Sequence, residues 1–281
     1  IKALDIKPKD LSILNNLGSV CRETGNLEDA VSYYKKAIQI EPDNPNANYS
    51  IGLTYHKLKE LKKGKEHLER ATKTKLDFAL AFVALANIQV DLKEYDNAVK
   101  NYKKAIEINP RMLSAYNNLG LVYRILNDFK NAINSYESVL KINPKYVRSH
   151  HNLGMAFKEM GNFEGAIKAH KNAIICEPEN MLNYFYLSEL KKDILDSKLK
   201  KKVEEILKRS KTKLNSAYGN YLLARYENKQ KNYEKELNYL KIAHNYFFES
   251  NKKKFDLGVK YCFDDVLKIS EDKISNEKLT V

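Results

Sequence analysis

The stretch "LNNLGSVCRETGNLEDAVSYYKKAIQIEP" (residues 14–42) decides the architecture, because its pattern returns every 34 residues. Leu17 and Gly18 come back as Ile51 and Gly52, Leu85 and Ala86, Leu119 and Gly120, and Leu153 and Gly154. A second ladder of small residues runs through Ala30, Gly64, Ala98, Ala132 and Ala166. A third is Ala37, Ala71, Ala105, Val139 and Ala173. Pro42, Pro110, Pro144 and Pro178 form a fourth, broken at Leu76. A fixed period of this length is the signature of a stacked repeat rather than of one closed core.

Within each period the apolar residues recur at helical spacing. Leu17, Tyr34 and Ile38 predict facing apolar stripes on two helices, and small residues such as Gly18 and Ala30 let those helices approach closely. Each Pro is expected to close the second helix, since it cannot extend the hydrogen-bond ladder. One helix pair cannot bury both of its faces, so neighbours must stack. The expected fold is all-α, an α-solenoid of five tandem units over 11–180, wound as a right-handed superhelix with a concave groove. The residues of these ladders resemble the tetratricopeptide repeat family. That resemblance implies helix–turn–helix units and a protein- or peptide-binding scaffold.

Composition agrees with helix. The 281 residues include only 10 Gly and 6 Pro, too few for a turn-rich β architecture. No apolar run is long enough to cross a membrane and no signal-peptide core precedes the first repeat. Cys21, Cys176 and Cys262 lie far apart among apolar neighbours, which fits buried thiols in a reducing, cytoplasmic setting. The net charge of +13 suits an acidic partner or nucleic acid, but Lys spread over solvent faces needs no ligand.

The ruler frays at both ends. "IKALDIKPKD" (1–10) places Ala3 and Pro8 where Ala37 and Pro42 stand one period later, so the chain is expected to begin inside a truncated repeat. After Pro178, "NMLNYFYLSELKKD" reads as a first helix with Tyr184, Leu187 and Leu190 on one face. "SKLKKKVEEILKRSK" follows as a Lys-rich amphipathic helix with Leu199, Val203, Ile206 and Leu207 as its stripe. A degenerate unit returns with Leu223, Ala224, Tyr233, Leu240 and Ala243, two residues out of phase. Divergent helices are thus expected over 181–250, then a helix and linker over 251–281. With "KFDLGVKY" (254–261), the region from about 180 to 270 is similar to bacterial proteins in which a tetratricopeptide array leads into a sulfotransferase domain. That resemblance implies a substrate-recruiting region whose cofactor, phosphoadenosine phosphosulfate, belongs to a domain downstream.

No phosphate-cradling loop, dinucleotide motif or CxxC pair occurs, so no catalytic residue, cofactor or metal is expected here. His150 and His151 point about 100° apart on a helix and cannot readily share a metal. His150 is expected to pack as Tyr116 and Phe82 do, and His170 as Tyr136 does. "NYFYL" and "NYFF" read as core rather than as base-stacking platforms, which disfavours nucleic acid. For the groove, one column at the repeat spacing holds Arg22, His56, Val90, Arg124, Lys158 and Lys192. Another holds Asn16, Ser50, Ala84, Asn118 and Asn152, whose amides can pair with an extended backbone. Together with His151, the Asn, His, Arg and Lys members of both columns form the candidate groove, facing a protein or peptide partner of acidic character.

Overall fold

A computed structural model describes residues 10–251. The expectations for 1–10 and 251–281, including Cys262 and the "KFDLGVKY" stretch, therefore fall almost wholly outside the described residues. Within them the chain is all-helical, with no strand. It forms two compact units, one ending at Pro144 and one beginning at Lys145.

The first unit is four helix hairpins: α1 (Leu11–Thr24) with α2 (Leu27–Ile40), α3 (Pro45–Lys57) with α4 (Leu61–Thr74), α5 (Ala79–Asp91) with α6 (Tyr95–Ile108), and α7 (Leu113–Ile125) with α8 (Phe129–Ile142). The second opens with α9 (Val147–Glu159) and α10 (Phe163–Cys176). It continues with α11 (Met181–Leu190), a 3₁₀ turn at Lys192–Ile194, α12 (Ser197–Arg209), α13 (Lys213–Lys229) and α14 (Tyr233–Asn251).

Each hairpin closes on the same contact. A Cβ placed on Gly18 would lie 2.6 Å from the ring of Tyr34, and one on Gly120 would lie 2.6 Å from Tyr136. Gly154 stands equally close to His170, and Gly52 is 2.7 Å from Leu68 by the same construction. The opposing side chain, a ring except at Leu68, is 16 residues after the small residue in each case, across the hairpin. Tyr34 and Tyr136 are fully buried there, as are Ala30, Ala37, Ala132 and Val139. A buried phenol needs a partner, and two find one beside the small residue: the Tyr34 hydroxyl meets Ser19 Oγ at 3.1 Å, and Tyr102 donates to Asn87 Oδ1.

The turn inside each hairpin also repeats. Residues 25, 59, 93, 127, 161 and 231 all have φ between 59° and 89°, in the left-handed region. The next backbone N–H then reaches back to the helix just ended, as in Asn26 to Cys21, Glu94 to Gln89 and Asn232 to Glu227, at 2.7–2.9 Å. Only two of these residues are Gly; the others are Lys59, Lys93, Asn127 and Lys231. The proline ladder matters less than its regularity suggests. At Leu76, where it is broken, α4 still ends at Thr74 with the same bond from Lys75 N–H to the Ala71 carbonyl.

In the second unit the repeat loosens. α11 packs on α10 and then on α13, while α12 lies against α13. Val203 and Ile206 of α12 enter a core with Met181, Tyr184, Leu195, Leu222 and Leu223, and Leu199 and Leu207 flank it.

Two outcomes follow from this packing. Gly120→Leu should lower stability by about 1–3 kcal/mol through overpacking against Tyr136, whereas Lys130→Leu on an exposed position should change it little; thermal unfolding compares them. Lys93→Gly should instead raise stability by up to about 1 kcal/mol, because it removes the steric cost of a side chain at positive φ.

Candidate functional site

The candidate face is formed by the first helices of the hairpins. In the first unit it holds Asn16, Arg22, His56, Asn118 and Arg124. Asn16 is exposed on α1, and Arg22 and Arg124 are half-buried in the last turns of α1 and α7. His56 Nε2 meets Asp91 Oδ2 at 2.9 Å, and Lys59 Nζ approaches the same oxygen at 3.5 Å. Burial alone would raise the Asp91 carboxyl, but its contacts with His56 and Lys59 outweigh it and hold it below its ordinary range. The Asn118 amide is also committed: Nδ2 donates to Asn87 Oδ1 at 3.0 Å, the atom that takes the Tyr102 hydroxyl. The two columns of the first unit thus include side chains spent on joining one hairpin to the next.

The second unit gathers more. On α9, the His151 Nδ1 lies 3.1 Å from Asn183 Oδ1, and His170 Nδ1 on α10 approaches the same oxygen at 3.4 Å. Asn152 is half-buried beside His151. Lys158 donates to Glu189 Oε2 at 2.6 Å, and Arg225 Nη2 donates to Glu189 Oε1 at 2.9 Å. Burial pushes the Glu189 carboxyl up, yet the hydrogen bonds and charges of Lys158 and Arg225 prevail and keep it below its usual range. Arg225 also donates through Nη1 to the Phe185 carbonyl at 2.8 Å and to Ser188 Oγ at 2.7 Å. Its guanidinium carbon sits 3.8 Å from the centre of the Phe185 ring.

Around this relay runs a strip of rings. Tyr186 stacks on His170 at 5.7 Å and touches Phe185 edge-on at 5.5 Å. Phe185 then meets Tyr218 at 5.3 Å and Tyr221 at 5.7 Å across α11 and α13. All four are half-buried, and desolvation pushes the Tyr218 hydroxyl up to about 12. Among the rings of "NYFYL", the expectation of core therefore holds for Tyr184 alone, which is 7% exposed, and it holds also for Leu187. Three consecutive helical rings diverge by about 100° each, so they cannot share one buried face. That spacing was the signal available in the sequence. "NYFF" departs from core in the same way, with Tyr246 exposed.

Lys192 is not on a first helix as the column required. α11 ends at Leu190, Lys191 is extended, and Lys192 opens the 3₁₀ turn that carries Leu195 into the core. Lys229 Nζ fixes that turn by donating to the carbonyls of Lys192 at 3.2 Å and Leu195 at 2.9 Å. The turn borders a cavity of about 450 Å³ lined by Ser188, Glu189, Lys192, Leu195, Arg225, Asn228 and Lys229. At the opposite ends of α11 and α13 lies a hollow of about 290 Å³ lined by Leu182, Leu214, Tyr218 and neighbouring polar residues. Among the described residues no group of three or more His, Cys, Asp or Glu could hold a metal ion, and no helix is long and apolar enough to cross a membrane.

Residues 4–198 match the family of the tetratricopeptide repeat protein 21 C-terminal ARM domain. Among solved structures, the MamA protein is 26% identical with a TM-score of 0.56, over 60% of this chain and 93% of that one. A tetratricopeptide repeat protein from Parabacteroides merdae is 17% identical with a TM-score of 0.63, over 93% of this chain and 98% of that one. YrrB, described as a TPR protein with an unusual peptide-binding site, is 22% identical with a TM-score of 0.56, over 65% of this chain and 94% of that one. The curated proteins give no match.

The buried His170 makes stability depend on pH. Burial first, then the neighbouring His151 charge, lower its pKa to about 4. The unfolded chain takes up this proton below about 6.5 and the folded chain resists it, so stability is complete above that pH and falls as pH drops towards 4. The loss from this group should reach at most about 3 kcal/mol. His170→Tyr, which installs the ring found at Tyr34, Tyr102 and Tyr136, should flatten this part of the profile; thermal unfolding across the range checks it.

Proposed function

This chain belongs to the family of the tetratricopeptide repeat protein 21 C-terminal ARM domain, and we propose that it works as a non-enzymatic interaction scaffold. Its first-helix face in the second unit holds an extended segment of another protein. The observation that carries this reading is the strip Phe185, Tyr186, Tyr218 and Tyr221, half-exposed on helices whose cores are already filled by Tyr184, Leu222 and Leu223. Completing the burial of one large apolar side chain is worth up to about 1.5–3 kcal/mol, so four such rings offer a partner substantial energy in a small area. Rings beside a fixed Arg are also the residue types that dominate binding energies. Arg225, held by Glu189, Ser188 and Phe185, loses little freedom on binding.

The described peptide-binding site of YrrB, a protein of the same fold, supports a peptide as the occupant. The surplus of cations, +13 over the chain, favours an acidic one. The alternative role, recruiting the acceptor of a downstream sulfotransferase domain, would use the same face and rests on the resemblance over 180–270.

A phage-displayed library of random linear peptides, selected against the full chain, tests the scaffold reading. Selected peptides should bind Tyr221→Ala about tenfold more weakly, while Lys130→Ala on the first unit leaves them unchanged. If recovered peptides ignore Tyr221→Ala, the face does not bind them and the reading fails.

A further inference from the structure

The two hollows at either end of the α11–α13 groove differ in chemistry, and from that difference we infer what the partner segment looks like. The inference rests on the scaffold reading above. At one end Leu182, Leu214 and Tyr218 surround the hollow of about 290 Å³. Leu214 is 43% exposed, an apolar side chain with no neighbour covering it fully. The rim is rigid, because Asn215 donates to the Glu179 carbonyl at 2.9 Å and accepts from Met181 N–H at 2.7 Å. This end takes an apolar or aromatic side chain.

At the other end the cavity of about 450 Å³ carries Lys192, Arg225 and Lys229 against the single carboxylate of Glu189. Glu189 is already shared between Lys158 and Arg225, so it cannot also neutralise Lys192. A concave wall focuses such a field, which favours a carboxylate in the cavity. Phe185 and Tyr221, in contact at 5.7 Å, fall between the two ends along α11 and α13.

The helices also set a length. Tyr218 and Asn228 mark the two ends on α13, ten residues apart, or about 15 Å along the axis. An extended chain covers that distance in about four to five residues at ~3.3 Å each. The preferred partner is therefore an extended segment with an apolar or aromatic residue and an Asp or Glu side chain separated by that spacing. An Asp or Glu next to the apolar residue would leave the cationic cavity empty.

The experiment is the same library selection, read for sequence pattern and repeated with Lys192→Glu and Leu214→Asp, two exposed side chains whose replacement leaves the core intact. Displayed peptides have no free C-terminus, so an enriched acid is a side chain. Expected are sequences pairing an apolar residue with an acid about four to five positions away. Lys192→Glu should weaken a representative synthetic peptide about fivefold at low salt but leave its Glu→Gln counterpart unchanged, and Leu214→Asp should weaken both. Peptides that depend on Tyr221 but show no spaced acid, or that ignore Lys192→Glu, overturn this inference and leave the scaffold reading standing. Recovery of no peptide that depends on Tyr221 overturns both.

Discussion

The fold depends on one contact, a large side chain on the second helix, a ring in most hairpins and Leu68 in one, pressed against a residue too small to resist it on the first. Helices pack at about 8–10 Å according to the residues between their axes. At Gly18, Gly120 and Gly154 there is no Cβ, so Tyr34, Tyr136 and His170 occupy the space a Cβ would need and the hairpin closes more tightly than any side chain there would allow. Everything else in a hairpin is referred to this contact. The alanines at 30, 37, 132 and 166 are fully buried because the approach leaves no room for more. The left-handed turn residue must come seven positions after the small residue, as 25 follows 18 and 161 follows 154, or the ring would miss its seat.

This explains why the architecture was legible and several details were not. A steric requirement that recurs at fixed spacing leaves a ladder of residue types, and the glycines and alanines are that ladder. The left-handed turn leaves none. Its cost of about 1–2 kcal/mol for a residue with a side chain is small against the packing it permits, so Lys59, Lys93 and Lys231 serve where Gly25 and Gly161 do. Pro42, Pro110, Pro144 and Pro178 were conspicuous for the opposite reason. They mark helix ends that Leu76 shows to be set without them.

The groove columns were legible as positions and poorly legible as chemistry. Spacing placed His56, Asn118 and Lys158 on first helices, and they lie within α3, α7 and α9. What spacing could not reveal is that each meets a residue of the following hairpin or of its neighbour: Asp91, Asn87 and Glu189. A cation brought to a half-buried face is stabilised by a carboxylate within reach, and a stacked repeat can offer one from the next helix, as Asp91 and Glu189 do. Charge counted along a column thus overstates the charge available to a ligand. The larger surplus lies elsewhere, in 191–213, where ten Lys and Arg face four Asp and Glu.

The candidate site arises where the ruler breaks. In a regular hairpin the helix after the first one folds back on it and uses up its apolar surface. α11 ends at Leu190 instead, the chain leaves through a 3₁₀ turn, and the backbone of α12 lies against α13, reaching α11 only through side chains such as Val203 and Ile206. Two consequences follow from that single departure. α11 and α13 become direct neighbours, which brings Phe185 against Tyr218 and Tyr221, and α14 reaches those two tyrosines with His244 and Phe247 yet leaves them half-exposed. The turn needs its carbonyls satisfied, and the Lys229 that does so adds its charge to Lys192 and Arg225 beside the cavity. Local irregularity in an otherwise consistent sequence is where function is expected to reside, because regular packing commits most side chains to the fold. Here the irregular stretch supplies both the rings and the cations from residues that the fold, by its own rules, had to place there.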